Sequence, residues 1–248
     1  FGVGHIFLAG EAPGLFYGYV TQGIVQKEDI TENGIKYIKQ DGSVGYYQTV
    51  NKTTPVAGDV KYVDRNGDGV VDDNDRDIIG NPNPDFTYGF QTKVSWKSLS
   101  LSASFNGVQG RDILNVGNRY NNTPGTKSNN VTRKAFQNMW TDENPSNLYP
   151  KSTFVVQNMV MDRYVEDGSY LRCSDITLSY VLPAKWTNKI GIKNTSVYAS
   201  VKNAFVITDY SGYDPEVNSF AFDGLRPGVD MNSYPTPRSF VFGLNLTF

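Results

Sequence analysis

The stretch Asp64-Arg65-Asn66-Gly67-Asp68-Gly69-Val70-Val71-Asp72-Asp73-Asn74-Asp75 sets oxygen-bearing side chains at its first, third, fifth, ninth and twelfth positions, with glycine at the sixth. That spacing is the one an EF-hand or dockerin-like calcium loop needs. Ca²⁺ takes about six to eight oxygens, and carboxylates crowded into one turn repel one another unless a cation neutralises them. Read this way, the side chains of Asp64, Asn66, Asp68, Asp72 and Asp75 and the carbonyl of Val70 would hold a structural Ca²⁺. Asp75 stands where a longer, bidentate glutamate is usual, which shortens the reach of the last ligand. The same residues also read as a solvated acidic turn tied by side-chain to backbone hydrogen bonds. Gly80, Pro82 and Pro84 break the chain directly after Ile79, so no EF-hand helix follows, and an ion here would stiffen a loop rather than signal.

Other chemistry finds little support. The one histidine, His5, has no partners for a zinc site or a Ser/His/Asp triad, and the one cysteine, Cys173, has none for a disulfide. Asp142 and Glu143 are a carboxylate pair of the type a glycoside hydrolase uses, but neighbours in a strand or loop point apart and no spacing specifies an acid and a base. The reading is a protein that is not an enzyme. A net charge of −2 with scattered Lys and Arg gives no basic field for nucleic acid.

The elements that must carry these loops are strands. Phe86, Tyr88, Phe90, Thr92, Val94 and Trp96 alternate with Thr87, Gly89, Gln91, Lys93 and Ser95, and after a turn at Lys97 and Ser98 the alternation resumes from Leu99 to Gly107. Further runs follow around Ile176, Leu178, Tyr180 and Leu182, around Val197, Ala199 and Val201, and from Phe240 through Phe242, Leu244 and Leu246 to Phe248. Alternating strands also build soluble sandwiches, where five or six residues are usual; runs of about ten suit a tilted membrane strand. Trp96, Tyr88, Tyr180 and Trp186 sit at strand ends, where a membrane barrel keeps its aromatic girdles. No stretch approaches the roughly 18 apolar residues of a spanning helix. Long polar segments from Asn115 to Asp167 and from Asp209 to Pro237 alternate with short connections, the rhythm of an outer-membrane barrel, and one short helix is expected at Val131 to Trp140.

Several phrases resemble the SusC/RagA family of TonB-dependent transporters, in the family's order along most of the chain. They are Gly14 to Val20 with Gly23-Ile24; Gly58-Asp59-Val60-Lys61-Tyr62-Val63-Asp64 through Gly80-Asn81-Pro82; and Trp140-Thr141 with Asn144-Pro145 and Tyr149-Pro150. Gly168-Ser169-Tyr170-Leu171-Arg172 leading to Leu178-Ser179-Tyr180 and Pro183, Asn203-Ala204-Phe205, Gly212-Tyr213-Asp214-Pro215-Glu216 and Tyr234-Pro235-Thr236-Pro237-Arg238 complete the set. Cys173 departs from the pattern, standing where a larger apolar residue is more usual.

The resemblance implies an all-β, antiparallel transmembrane barrel of about 22 strands, of which this chain would be the C-terminal portion. Residues 1–85 would form a loop-rich segment carrying the calcium-type loop 64–75, and residues 86–248 the last barrel strands with long extracellular loops. The N-terminal plug and earlier strands are expected to be missing, which makes the chain a truncation, a cleavage product or one piece of a split transporter. Implied partners are the rest of the transporter, outer-membrane lipid, a SusD-like surface lipoprotein and the TonB complex, in a Gram-negative, Bacteroidetes-like outer membrane. The implied cargo is a nutrient oligomer, a glycan before a peptide. Tyr120, Trp140, Tyr149, Tyr210 and Tyr213 are candidates to meet cargo or lid, because aromatic faces stack on sugars, though each also reads as loop packing. Phe248 fits the terminal aromatic of an outer-membrane assembly signal. The rival reading is a secreted or surface β-domain stabilised by calcium, with a binding or adhesive role.

Overall fold

The structure is a computed structural model and describes residues 4–123, 130–152, 159–187, 192, 194–216 and 218–247. Two compact units are built from interleaved stretches of chain. The first takes residues 1–83, 112–166 and 217–233, and the second takes 84–111, 167–216 and 234–248. A cut in sequence order at residue 85 does not follow this division, because the two long connections between strands of the second unit supply chain to the first.

The second unit is a five-stranded antiparallel sheet: β1 (Phe86–Trp96), β2 (Leu99–Gln109), β3 (Tyr170–Val181), β4 (Asn194–Thr208) and β5 (Ser239–Thr247). Every strand pairs with its neighbour in sequence, an up-and-down meander. The β1–β2 hairpin runs in unbroken register from Phe86 opposite Gln109 to Trp96 opposite Leu99. Its two-residue turn takes Lys97 into the left-handed region (φ 53°), with the Lys97 ammonium 5.0 Å from the Trp96 ring centroid. Eleven residues per strand, at a rise of roughly 3.3 Å and a tilt of roughly 45°, cover about 25 Å, the height of the apolar band on an outer-membrane barrel.

Two of these strands run further than their alternation suggests. β3 begins at Tyr170 and β4 continues to Thr208, because bulges interrupt the period of two. Ser104 pairs with Asp175 but Phe105 pairs with Cys173, so Ser174 is an extra residue and the phase of β3 flips there. On the β4 side the register slips between Lys202 and Phe205, with Asn203 in the left-handed region (φ 51°). Two extra residues restore the phase, which places Phe205 and Ile207 on the apolar face.

The first unit holds the hydrophobic core, with Phe16, Tyr19, Val25, Tyr37, Tyr47, Val50, Tyr62, Val71, Leu114, Met161 and Val229 all buried. Short strands frame it. Leu15–Tyr19 lies between His5–Ile6 and Arg76–Gly80, and Gly34–Ile38 between Ile30–Thr31 and Val44–Tyr47. The later stretches are stitched on by backbone pairing: Tyr19 N–H donates to Val160 O (2.9 Å), Lys151 N–H to Gly58 O (2.9 Å), and Leu114 and Asn115 run parallel to Val229 and Asp230. Gly228, at φ 73°, lies where any Cβ would stand 2.7 Å from Pro82 Cβ, so the close approach requires glycine. Two short helices belong to this unit, α1 (Val116–Asn122) and α2 (Arg133–Asn138), and α2 falls inside the helix expected at Val131 to Trp140. Thr132 caps α2 by accepting the Ala135 N–H (3.1 Å).

Candidate functional site

The acidic loop is a set of backbone cradles. Gly67 (φ 76°) and Gly69 (φ 85°) turn the chain so that their N–H groups reach the Asp64 carboxylate at 2.6 and 2.9 Å. Asp75 accepts from Arg65 N (2.8 Å), Asn66 N (3.3 Å) and Asp72 N (2.8 Å), and is fully buried. Asp68 accepts from Val70 N, Asn66 Oδ1 from Asp68 N, and Asp72 from Asn74 N. Tyr37 donates to Asp64 O at 2.6 Å. Burial first, then the charges of Asp75 and Asp68, outweigh the two glycine N–H bonds and raise the Asp64 carboxyl above the ordinary aspartate value. Among the described residues, no group of three or more His, Cys, Asp or Glu side chains is gathered as a metal site. Each carboxylate nevertheless offers about four lone-pair sites, so Asp64 and Asp75 keep acceptor capacity beyond their N–H bonds. The all-oxygen donor set suits a hard cation.

The five aromatic candidates are scattered in character. Trp140 is buried, its indole Nε1–H donating to Gln26 Oε1 at 3.0 Å, and its backbone N–H donates to Tyr149 O at 3.0 Å, which brings these two together. Tyr149 and Tyr120 are half-buried, the Arg119 guanidinium lying 5.7 Å from the Tyr120 ring centroid. Tyr210 is buried, and its backbone N–H donates to Thr208 Oγ1 at 3.1 Å. Tyr213, at 71% exposed, alone among the five offers an open ring face. Phe248 lies outside the described residues.

The sheet separates two chemistries. One face carries rows such as Val94, Leu101, Leu178, Ala199 and Phe242, and Trp96, Leu99, Tyr180, Val197 and Leu244. Its side chains are open, Trp96 at 69% and Phe242 at 79% exposed. Phe90 stacks on Phe105 at 4.5 Å between centroids, and Phe105 meets Phe205 at 6.3 Å, at the level where Cys173 sits buried. The other face is polar and bonded to itself. Asp175 accepts from Thr177 Oγ1 (2.8 Å) and Ser200 Oγ (2.8 Å) and pairs with Lys202 (2.6 Å). Apolar side chains on one face and polar ones on the other is the alternation of a barrel wall.

Sequence reasoning missed one buried cluster in this unit. Arg172, on β3, donates from Nη2 to Asp214 Oδ1 (2.5 Å), and Glu216 Oε2 lies 3.1 Å from Nε as an ion pair outside hydrogen-bond geometry, with Arg172 and Asp214 both buried. Asp214 also accepts the N–H groups of Glu216 (2.9 Å) and Thr236 (3.0 Å). Burial would raise the Asp214 carboxyl, but these N–H bonds and the guanidinium win and hold it below the usual value. The signal available in the sequence is Arg172 and the two acids flanking Pro215, which stand there only within phrases that resemble a family.

No family model matches the chain. It is 33% identical over 248 residues to the TonB-dependent receptor P3 of Formosa agariphila, covering 98% of this chain and 23% of the relative. It is 34% identical over 194 residues to the TonB-dependent receptor SusC of Bacteroides thetaiotaomicron, covering 75% of this chain and 17% of SusC. A solved structure of the RagAB peptide transporter matches all of this chain and 24% of its own, with a TM-score of 0.69 and 25% identity. The chain thus spans under a quarter of these proteins' lengths. With the meander, its two-faced wall and these likenesses, this stretch belongs to the SusC/RagA-type TonB-dependent transporters.

Proposed function

We propose that the chain is part of an outer-membrane importer that takes up nutrient oligomers with the help of a SusD-like surface lipoprotein and the TonB complex. The observation that carries the reading is the sheet itself: strands long enough to cross a membrane show their largest apolar side chains outward and join their polar ones within. An apolar face of this size in water would be an aggregation surface; in lipid it is solvated. The likeness to TonB-dependent receptors supports the transport role, since none of these relatives is named as an enzyme. Glycan cargo is the first reading, and the RagAB likeness supports peptide cargo as the second. In the same proposal, Asp64, Asn66, Asp68, Asp72 and Asp75, with the Val70 carbonyl, hold Ca²⁺ that neutralises and stiffens the acidic loop.

The test is to purify the protein from native outer membranes in detergent and identify every co-purifying polypeptide by mass spectrometry. Recovery within a large barrel together with a SusD-like lipoprotein is the expected result. Recovery as a lone water-soluble polypeptide would sink the importer and favour a secreted, calcium-stabilised β-domain.

A further inference from the structure

Two tyrosine rings of the second unit stand open where the chain beside them is held most firmly. Tyr213 is 71% and Tyr234 88% exposed, and among the described residues neither ring nor hydroxyl has a partner. On one side of Tyr213, Asp214 is buried against Arg172, and the Pro215 carbonyl accepts from Arg111 Nη2. On the other side, Gly212 lies under the buried Tyr210, whose Cε1 would stand 2.4 Å from any Cβ at that position. Tyr234 opens the stretch Tyr234-Pro235-Thr236-Pro237, in which each proline fixes its own φ and keeps the residue before it extended. The Thr236 N–H donates to Asp214 Oδ2 (3.0 Å), and the Asn203 side-chain amide donates to the Pro237 carbonyl (3.0 Å). Asp214 thus joins two stretches 22 residues apart in sequence, one carrying each ring.

A ring on a mobile loop loses conformational freedom when it meets a ligand, and a ring on a fixed backbone loses far less, which is why rigid aromatic anchors recur in binding surfaces. The surroundings select the ligand. Arg172 lies opposite Asn106, whose Nδ2 donates to Glu216 Oε1 (3.0 Å), so this clasp is on the polar side of the sheet and not the apolar one. The charges of Arg172, Asp214 and Glu216 are matched among themselves. The chain has little to offer a peptide backbone, because Asp214 takes the N–H groups of Glu216 and Thr236, and Pro215, Pro235 and Pro237 have none. What remains is two flat faces, each with a hydroxyl at its tip. A neutral pyranose matches them, its C–H face on the ring and its hydroxyls toward the phenol.

We propose that Tyr213 and Tyr234 form a stacking platform for a neutral oligosaccharide, with Arg172 and Asp214 as its positioning residues. The proposal deepens the import reading and rests on its glycan cargo.

The test is retention on the complete transporter, immobilised in detergent and offered a pool of neutral hexasaccharides of the cello-, malto-, xylo- and manno-series and, separately, a pool of random hexapeptides. Bound material is identified by mass spectrometry, and the retained series is then titrated by calorimetry. The parent is expected to retain at least one hexasaccharide. Its affinity should fall about 10-fold in Tyr213→Ala and in Tyr234→Ala and stay within about twofold in Tyr213→Phe and Tyr234→Phe, because the ring carries the stacking. Asp214→Asn should weaken binding as well, and adding Tyr213→Ala to it should cost less than the same change costs the parent, since both act through one ring. Should Asp214→Asn fail to fold, the tyrosine variants decide alone. No retained hexasaccharide, unchanged affinity in both alanine variants, or retention of peptides in place of glycans overturns the proposal. So does loss of a co-purifying SusD-like lipoprotein, with glycan binding intact, in the alanine variants, which would assign the rings to a protein partner. Co-purification of the lipoprotein with the parent but no glycan retention defeats the platform alone, and glycan retention by a lone water-soluble polypeptide defeats the importer alone.

Discussion

Tyr37, Tyr47 and Tyr62 of the first unit and Trp96, Phe240 and Phe242 of the second are all large aromatics on strands or at their ends, yet the first three are buried and the last three lie open. The buried ones carry hydroxyls with partners: Tyr37 donates to Asp64 O, Tyr47 accepts the Tyr62 N–H at 3.2 Å, and Tyr62 reaches the Met161 sulfur at 3.6 Å. Burial, helped by the charges of Asp64 and Asp75, pushes Tyr37 up to about 12, so it stays a neutral donor. The open ones are two phenylalanines and a tryptophan, which need few or no partners in hydrocarbon. Burial in the first unit is against protein, and burial in the second must be against something the chain does not supply. The two units therefore answer to different solvents, and the experiments below separate them.

The largest effect is expected at Arg172. Arg172→Ala leaves Asp214 buried without its cation, a loss of about 3–5 kcal/mol for a buried pair broken on one side. Urea unfolding of the complete transporter in detergent measures it. Because the folded Asp214 carboxyl lies below its ordinary value of 3.8, its contribution is fully present above that pH and is lost as the pH falls below it toward the lowered value. Parent and Arg172→Ala should therefore converge in stability in that acidic window; a constant gap would show that Asp214 is not the partner that matters.

A second experiment addresses the outward face directly. Phe242 pairs with Ala199 in the middle of β5, and its neighbour Val241, opposite Ser200, points to the polar face. Phe242→Arg should destabilise the protein folded into vesicles by about 2–4 kcal/mol, the cost of arginine near a bilayer midplane, while Val241→Arg should cost far less. Equal effects at the two positions would end the claim that this face meets lipid.

How much of this was readable beforehand depends on the range of the cause. The β1–β2 hairpin was fully legible, because its period of two is unbroken and Lys97 and Ser98 mark the turn. The extension of β3 to Tyr170 was not, since Ser174 adds a residue and reverses the phase, so Cys173 and Arg172 fell outside the alternating run. The first unit was read as loops because its strands are short and pair across distant sequence, as Leu114 does with Val229. The aromatic candidates rested on residue type alone, which cannot tell the packed indole of Trp140 from the open ring of Tyr213.

The smallest effect concerns the acidic loop of the first unit, where Asp64, Asp68, Asp72, Asp73 and Asp75 fall within twelve residues. With the Asp64 carboxyl raised, mainly by burial and further by Asp75 and Asp68, the cation-free loop is most stable below about pH 3.8 and loses that contribution as the pH rises through the raised value. Bound Ca²⁺ holds the carboxylate ionised and reverses this slope. At a tenfold excess over its dissociation constant it should add about 1.4 kcal/mol. Amide exchange at Gly67 and Gly69, whose N–H groups face Asp64, reads the loop locally: slower exchange with Ca²⁺ than with chelator at neutral pH supports the ion. Identical exchange in the two conditions would leave the backbone cradles as the whole reason for the spacing, and the first unit would then bury its acids as it buries its tyrosines, with partners of its own.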